Sequence, residues 1–243
     1  MVHDNLLKSD RQTIKKLARR FLAPLCIVLF ILPAWAADKS KDEETLRNAA
    51  TVLQGMIDSK NVPADLLAQA KCIMVLPSVK KFGFGVGGSG GRGPMTCRAG
   101  KDFNGKWSAP AMYSVGGASL GIQVGGSETD FVLLIVTQKG VDAMLKGKST
   151  LGRDATAAAG PSGATAGALG GGDDVLTYGR SSGLFAGASL GNANLEPDVD
   201  ANKRLYGREI SAKEIVQEQA VKTTAGGQAL VSLLNSRLAK HGD

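Results

Sequence analysis

The segment from Tyr178 to Gly191, YGRSSGLFAGASLG, restricts the fold more than any other part of this 243-residue chain. Small residues surround one aliphatic–aromatic pair, Leu184 and Phe185, and no charged residue follows Arg180 within it. Its last five residues, GASLG, repeat Gly117 to Gly121. A stretch reduced to hydrogens and methyls lets another backbone approach closely, yet offers no general acid, base or metal ligand. It predicts the packed centre of a sheet where two similar strands meet, with Leu184 and Phe185 structural. The 32 glycines of the chain, about twice the ordinary share, carry the same message.

The first segment stands apart. Lys8, Arg11, Lys15, Lys16, Arg19 and Arg20 outweigh Asp4 and Asp10, and an apolar run follows from Phe21 to Pro33. Ala34-Trp35-Ala36 then places small residues at the two cleavage-site positions. This pattern predicts a signal peptide over 1–36, cut before Ala37, and a periplasmic or secreted protein, with association to a membrane as a further expectation. An uncleaved anchor is the alternative, but thirteen apolar residues fall short of the roughly 20 that span a bilayer. The apolar core favours general export over a twin-arginine route at Arg19-Arg20, and Leu25 before Cys26 disfavours lipidation. The leader holds 6 of the 29 basic and 2 of the 22 acidic side chains, leaving 23 and 20, a net of +3. So modest a surplus does not predict a nucleic-acid partner.

Residues 37–243 suffice for a single domain. Cys72 and Cys97 predict a disulfide in an oxidising compartment, with two buried free thiols as the alternative. Apolar residues at helical spacing predict a helix from Lys41 to Ser59, and a short second helix from Pro63 to Ala70. Cys72 to Leu76 reads as a buried strand ended by Pro77. Phe82, Phe84 and Val86 alternate with Gly83, Gly85 and Gly87 as a strand with one bare face, and Ser89 to Gly93 reads as a turn. Asn104-Gly105 predicts a hairpin. Further strands are predicted at Ala111 to Val115, Ala118 to Val124, Phe131 to Thr137, Val175 to Tyr178 and Leu184 to Ala188. Val141 to Lys146 predicts a short helix or turn, and Leu151 to Gly172 close packing rather than a linker. Pro197-Asp198 predicts a loop. Ser211 and Glu214 form a capping box that opens a helix to about Thr224. Gln228 to Lys240 predicts a last helix with Leu230, Leu233, Leu234 and Leu238 on one face. The fold class is α+β: a Gly-rich, mostly antiparallel, curled or barrel-like sheet with N- and C-terminal helices.

The only histidines, His3 and His241, lie at the chain ends, so the body has no His-based triad or metal site. No enzyme, catalytic residue, metal ligand or cofactor is predicted. Asp173-Asp174, the nearest approach to an acid pair, reads as a turn cap. Gly85 to Gly90 matches G-x-G-x-x-G, but a strand pattern follows where a dinucleotide loop opens a helix. The basic residues read as solvated surface, or as contacts to lipid phosphates. Lys41, Arg47, Lys80, Lys81 and Arg92 are the candidate contacts.

Three segments carry a family resemblance: Leu151-Gly152-Arg153-Asp154, then Ala158 to Pro161, then Ser182 to Leu190. Ala70 to Pro77, Trp107 to Pro110, Gly121 to Gly125, Asn202, Tyr206-Gly207 and Glu214-Ile215 follow in matching order. Over about residues 45 to 220 the chain resembles the SYLF domain family. The resemblance implies non-catalytic binding of anionic phospholipid at the cell envelope, partly through a basic or amphipathic N-terminal helix. The second expectation is an envelope module that binds a protein partner without lipid specificity. Gly191 to Asn194 and residues 162–172 depart from the family pattern, which argues against a phosphoinositide-specific pocket.

Overall fold

The computed structural model describes residues 34–84, 86–100, 102–120, 125–159, 173–181, 184–186, 190 and 192–238. The chain divides into two units, Met1–Ala37 and Asp38–Asp243, and the fold described here is that of the second. Most of the expected leader, Cys26 included, lies outside the described residues, as does most of the second GASLG copy.

The class is α+β, as the pattern predicts. Helices α1 (Ala34–Asp58) and α2 (Ala64–Gln69) come first. Strands β1 (Cys72–Phe84), β2 (Val86–Cys97), β3 (Ala111–Leu120) and β4 (Gly125–Ile135) follow, then helix α3 (Gln138–Leu145). Short strands β5 (Ser149–Thr150) and β6 (Ala157–Ala159) lead to β7 (Val175–Ser181), β8 (Leu184–Ala186) and β9 (Asn194–Pro197). Helices α4 (Val199–Tyr206), α5 (Ala212–Val216) and α6 (Gln228–Arg237) close the order. The curled sheet runs β5-β9-β3-β2-β1-β4-β7-β6, with β8 also on β7. Among the described residues every strand pair is antiparallel except β6 with β7. Because β4 lines one edge of β7 throughout, β6 and β8 share the other, at Val175 to Thr177 and Gly179 to Ser181.

The sheet is covered on both faces, and this explains the unbroken apolar runs in β1 and β4. Met74, Leu76, Tyr113, Phe131, Leu133 and Ile135 join one cluster with Val141 and Met144 of α3 and Ile215 of α5. Ile73, Val75, Val132 and Leu134 face the other way, against Leu53 and Met56 of α1, Leu66 of α2 and Leu234 of α6. Cys72 and Cys97 are direct cross-strand partners. They form a disulfide with Cα atoms 4.0 Å apart, so the free-thiol alternative falls.

Several local expectations change. Pro77 does not end β1; the register shifts between Leu76 and Val79, and Ser78 takes a φ of 58° there. Proline is tolerated at such a bulge because no ladder bond is required of it. Ser89 to Gly93 is not a turn but the middle of β2, paired with β1 and β3. A Cβ at Gly93 would strike the Val75 carbonyl, with Leu76 Cα 2.9 Å away. Close approach, and not chain reversal, demands that glycine. The two predicted strands after Ala111 are one strand, β3, and Asn104-Gly105 sits in a loop closed by a bridge between Arg98 and Trp107. The loop expected after Pro197 is helix α4, capped by Asp198 accepting from Ala201 N–H and ended by Gly207 at φ 73°. The Ser211–Glu214 capping box forms as expected, but α5 stops at Val216.

Candidate functional site

The five basic residues singled out from sequence occupy different settings. Lys41 Nζ stands 3.5 Å from Asp38 Oδ1, with 72% of its side chain exposed. Arg47 is exposed on the same helix. Lys80 and Lys81 are strand residues, not turn residues. As neighbours in a strand they point to opposite faces: Lys80 is exposed, while Lys81 Nζ lies 5.7 Å from the centre of the Phe131 ring. Arg92 is engaged internally, with Nη2 2.8 Å from Asp42 Oδ1 and Nε donating to Asp198 Oδ2 at 2.8 Å. None of the five lines either of the two clefts below.

The first cleft, about 520 Å³, opens where α3 turns into β5. Four cations, Lys139, Lys146, Lys148 and Arg153, line it against Asp142 and Asp154. Its construction is local. Helix α3 starts at Thr137, whose hydroxyl accepts from Gly140 N–H. It ends at Lys146, and Gly147 reverses the chain at φ 110°, a region open mainly to glycine. Asp154 accepts Thr150 N–H at 2.7 Å and Arg153 Nε–H at 3.2 Å. The hydrogen bond from Arg153, then that from Thr150, holds its carboxyl below the usual range. Lys139 is drawn to Asp174 at 3.1 Å. Lys146 and Lys148 have no ion-pair partner among the described residues and are exposed. Ser149 is 1% exposed, lines the cleft, and its hydroxyl has no hydrogen-bond partner among the described residues. Two free ammonium groups suit an anion with several oxygens, such as a phosphate.

Sequence reasoning missed this cleft. Lys146-Gly147-Lys148-Ser149 was readable as a basic pair around a glycine turn. Its closeness to Arg153 depends on Leu151 pairing with Ala155 across the intervening turn.

The second cleft, about 480 Å³, is lined by Arg98, Gly100, Phe103, Gln138 and Gln217. Among the described residues no group of three or more His, Cys, Asp or Glu side chains is placed to hold a metal ion.

Residues 116–237 match the family described as "Ysc84: Las17-binding protein actin regulator". The chain belongs to the Ysc84 (SYLF) family. Among Ysc84-type relatives, the human SH3 domain-containing YSC84-like protein 1 is 34% identical over 184 residues, covering 74% of this chain and 53% of the relative. LAS seventeen-binding protein 3 of Saccharomyces cerevisiae is 33% identical over 212 residues, covering 82% of this chain and 45% of the relative. Protein YSC84 of the same yeast is 33% identical over 212 residues, covering 82% and 44%. The chain thus spans about half the length of the curated relatives it matches. Members of the Ysc84 family are named as binding proteins, in keeping with the family resemblance of the motifs.

Proposed function

We propose that this chain is a non-catalytic binding protein that takes the headgroup phosphate of anionic phospholipids at the cell envelope. The observation that carries this reading is the cleft in which Lys146 and Lys148, exposed and without an ion-pair partner among the described residues, flank Gly147 beside Arg153. A lysine near an anionic leaflet contributes about 1 kcal/mol as a point charge. Lys41, Arg47, Lys80 and Lys81 add long-range attraction, whereas Arg92 has its charge met by Asp42 and Asp198. Residues 1–36 serve as the leader that delivers residues 37–243, one domain, to the periplasm or medium.

The test is co-sedimentation with vesicles of phosphatidylcholine alone or mixed with phosphatidylglycerol, at two salt concentrations. Pelleting is expected only with the anionic vesicles, weaker at high salt, and reduced at least tenfold by Lys146→Glu with Lys148→Glu. Equal, negligible pelleting in every mixture overturns the proposal. Loss in Lys80→Glu with Lys81→Glu, but not in the cleft variant, moves the contact to β1.

A second reading is a protein-binding module of the envelope. It is favoured by the name of a relative, LAS seventeen-binding protein 3. A stoichiometric protein partner that co-purifies without lipid supports it.

A further inference from the structure

Helix α3 carries Asp142 one turn before Lys146, and the Lys146 N–H donates to the Asp142 carbonyl. Residues four apart on a helix share a face, so a carboxylate stands beside the ammonium group that ends the helix. Both line the first cleft. Asp142 is exposed and takes part in no ion pair among the described residues. Its Oδ1 accepts from Nε2 of Gln138, a neutral amide one turn earlier, at 3.0 Å, and its Oδ2 has no hydrogen-bond partner among the described residues. The other charges of the cleft are committed, Lys139 to Asp174 at 3.1 Å and Arg153 to Asp154 at 3.2 Å. Lys146, Lys148 and Asp142 are left for a ligand, two positive charges against one negative, a net of +1.

A carboxylate accepts hydrogen bonds and donates none. Beside a phosphate it repels, unless the ligand brings donors of its own. The net charge decides which donors these are. A phosphate monoester, with two negative charges, exceeds what the three free groups can neutralise. A zwitterion with an ammonium donor brings no net charge to meet them. A phosphate diester that bears hydroxyls brings one negative charge and the donors together.

We propose that Asp142 reads the headgroup hydroxyls of the bound lipid, so that the cleft selects a glycerol phosphodiester, as in phosphatidylglycerol. This rests on the reading of the cleft as a phosphate site and adds a specificity-determining residue to it. Lys146 and Lys148 take the phosphate oxygens, and Asp142 accepts from the glycerol hydroxyls. The Gln138 amide on Oδ1 leaves Oδ2 for the ligand. A diester of equal charge without hydroxyls leaves the carboxylate facing the phosphate with nothing to accept, and is rejected for that reason.

The test uses vesicles of phosphatidylcholine mixed with phosphatidylglycerol, with phosphatidylethanol or with phosphatidylethanolamine. Phosphatidylethanol keeps the diester and its charge but lacks the hydroxyls. The wild-type protein is expected to bind phosphatidylglycerol about tenfold tighter than phosphatidylethanol. Asp142→Ala removes the acceptor and the repulsion together. Its binding to phosphatidylethanol is expected to rise, and the ratio to fall to about one, with circular dichroism unchanged. Calorimetry with soluble glycerophosphoglycerol separates the lipid from a free diester. Binding of the soluble diester by a protein that pellets with no vesicle upholds Asp142 as the reader and overturns the lipid as its source. Equal wild-type binding to the two anionic lipids, or a ratio that survives in Asp142→Ala, overturns the inference and leaves the phosphate cleft standing. A preference for phosphatidylethanolamine makes Asp142 an ammonium site and overturns it as well. Absence of binding to every lipid and to the soluble diester overturns both this inference and the reading it rests on.

Discussion

Asp42 accepts a hydrogen bond from Arg204 Nε at 2.7 Å, across 162 positions of sequence. Asp42 is fully buried, and Arg92 Nη2 reaches the same carboxylate at 2.8 Å. Arg92 also reaches Asp198, the cap of α4. One carboxylate near the start of α1 therefore fastens that helix to β2 and α4. The hydrogen bond to Asp42 raises the pKa of Arg204, so its charge is secure at any ordinary pH.

Asp42→Ala leaves two arginines facing each other over an empty site. Breaking such a pair from one side costs about 3 kcal/mol, and urea unfolding is expected to show a loss of that order. Arg92→Ala and Arg204→Ala are each expected to cost less, because the other cation remains. Their double variant is expected to be non-additive. A wild-type urea midpoint for Asp42→Ala refutes the clamp.

The disulfide closes a loop with a sequence separation of 25, which predicts about 3 kcal/mol from constraint of the unfolded chain. The double variant Cys72→Ala with Cys97→Ala is expected to unfold at clearly lower urea. The oxidised wild type is also expected to migrate faster than the reduced protein in denaturing electrophoresis. Identical urea midpoints overturn the expected contribution.

Asp174 is 4% exposed. Burial alone raises a carboxyl's pKa, but hydrogen bonds from Thr137 and Thr156 and the contact with Lys139 outweigh it and hold the group at about 2. The folded pKa lies below the ordinary 3.8, so the native state binds fewer protons than the unfolded chain. The stabilisation is full above about pH 4 and disappears as pH falls towards about 2, a change of about 2 kcal/mol. Asp174→Asn is expected to flatten the acid limb of stability against pH. An unchanged limb contradicts this assignment.

Gly90 and Gly93 lie in the same strand, yet alanine is expected to act oppositely at the two. At Gly90 the nearest atom to an added Cβ is Val115 O at 4.0 Å. Gly90→Ala is therefore expected to be neutral, or to stabilise by about 0.5 kcal/mol through the unfolded chain. At Gly93 the added methyl meets the Val75 carbonyl and Leu76 Cα. Neither is a flexible side chain, and a loss of about 3 kcal/mol or a failure to fold is expected. Thermal unfolding of both variants checks the pair, and similar midpoints contradict it.

The binding surface was less legible than the fold. Lys80 and Lys81 are adjacent in sequence but belong to opposite faces of β1. Arg92 looked free until the fold brought it Asp42, 50 positions earlier, and Asp198, 106 positions later. Lys146 and Lys148 were visible only as part of a helix end and a turn. Arg153, Ser149 and the cleft itself come from packing. Helix α4 escaped notice because only Ala201, Asn202 and Leu205 of its eight residues are buried, too few to mark a helical stripe.

The sequence by itself determined the α+β class, the family, the Ser211–Glu214 capping box and the burial of the strand residues Cys72 to Leu76. These are written in periodicity, caps and ordered motifs that act within a few residues. Only the tertiary structure decided that Ser89 to Gly93 is strand, that Cys72 faces Cys97, and that a buried Asp42 neutralises Arg92. A glycine run is compatible with both turn and strand, and a charge is compatible with both solvent and partner. Which outcome holds depends on what the rest of the chain places within a few ångströms, and that proximity has no signature in the local residues.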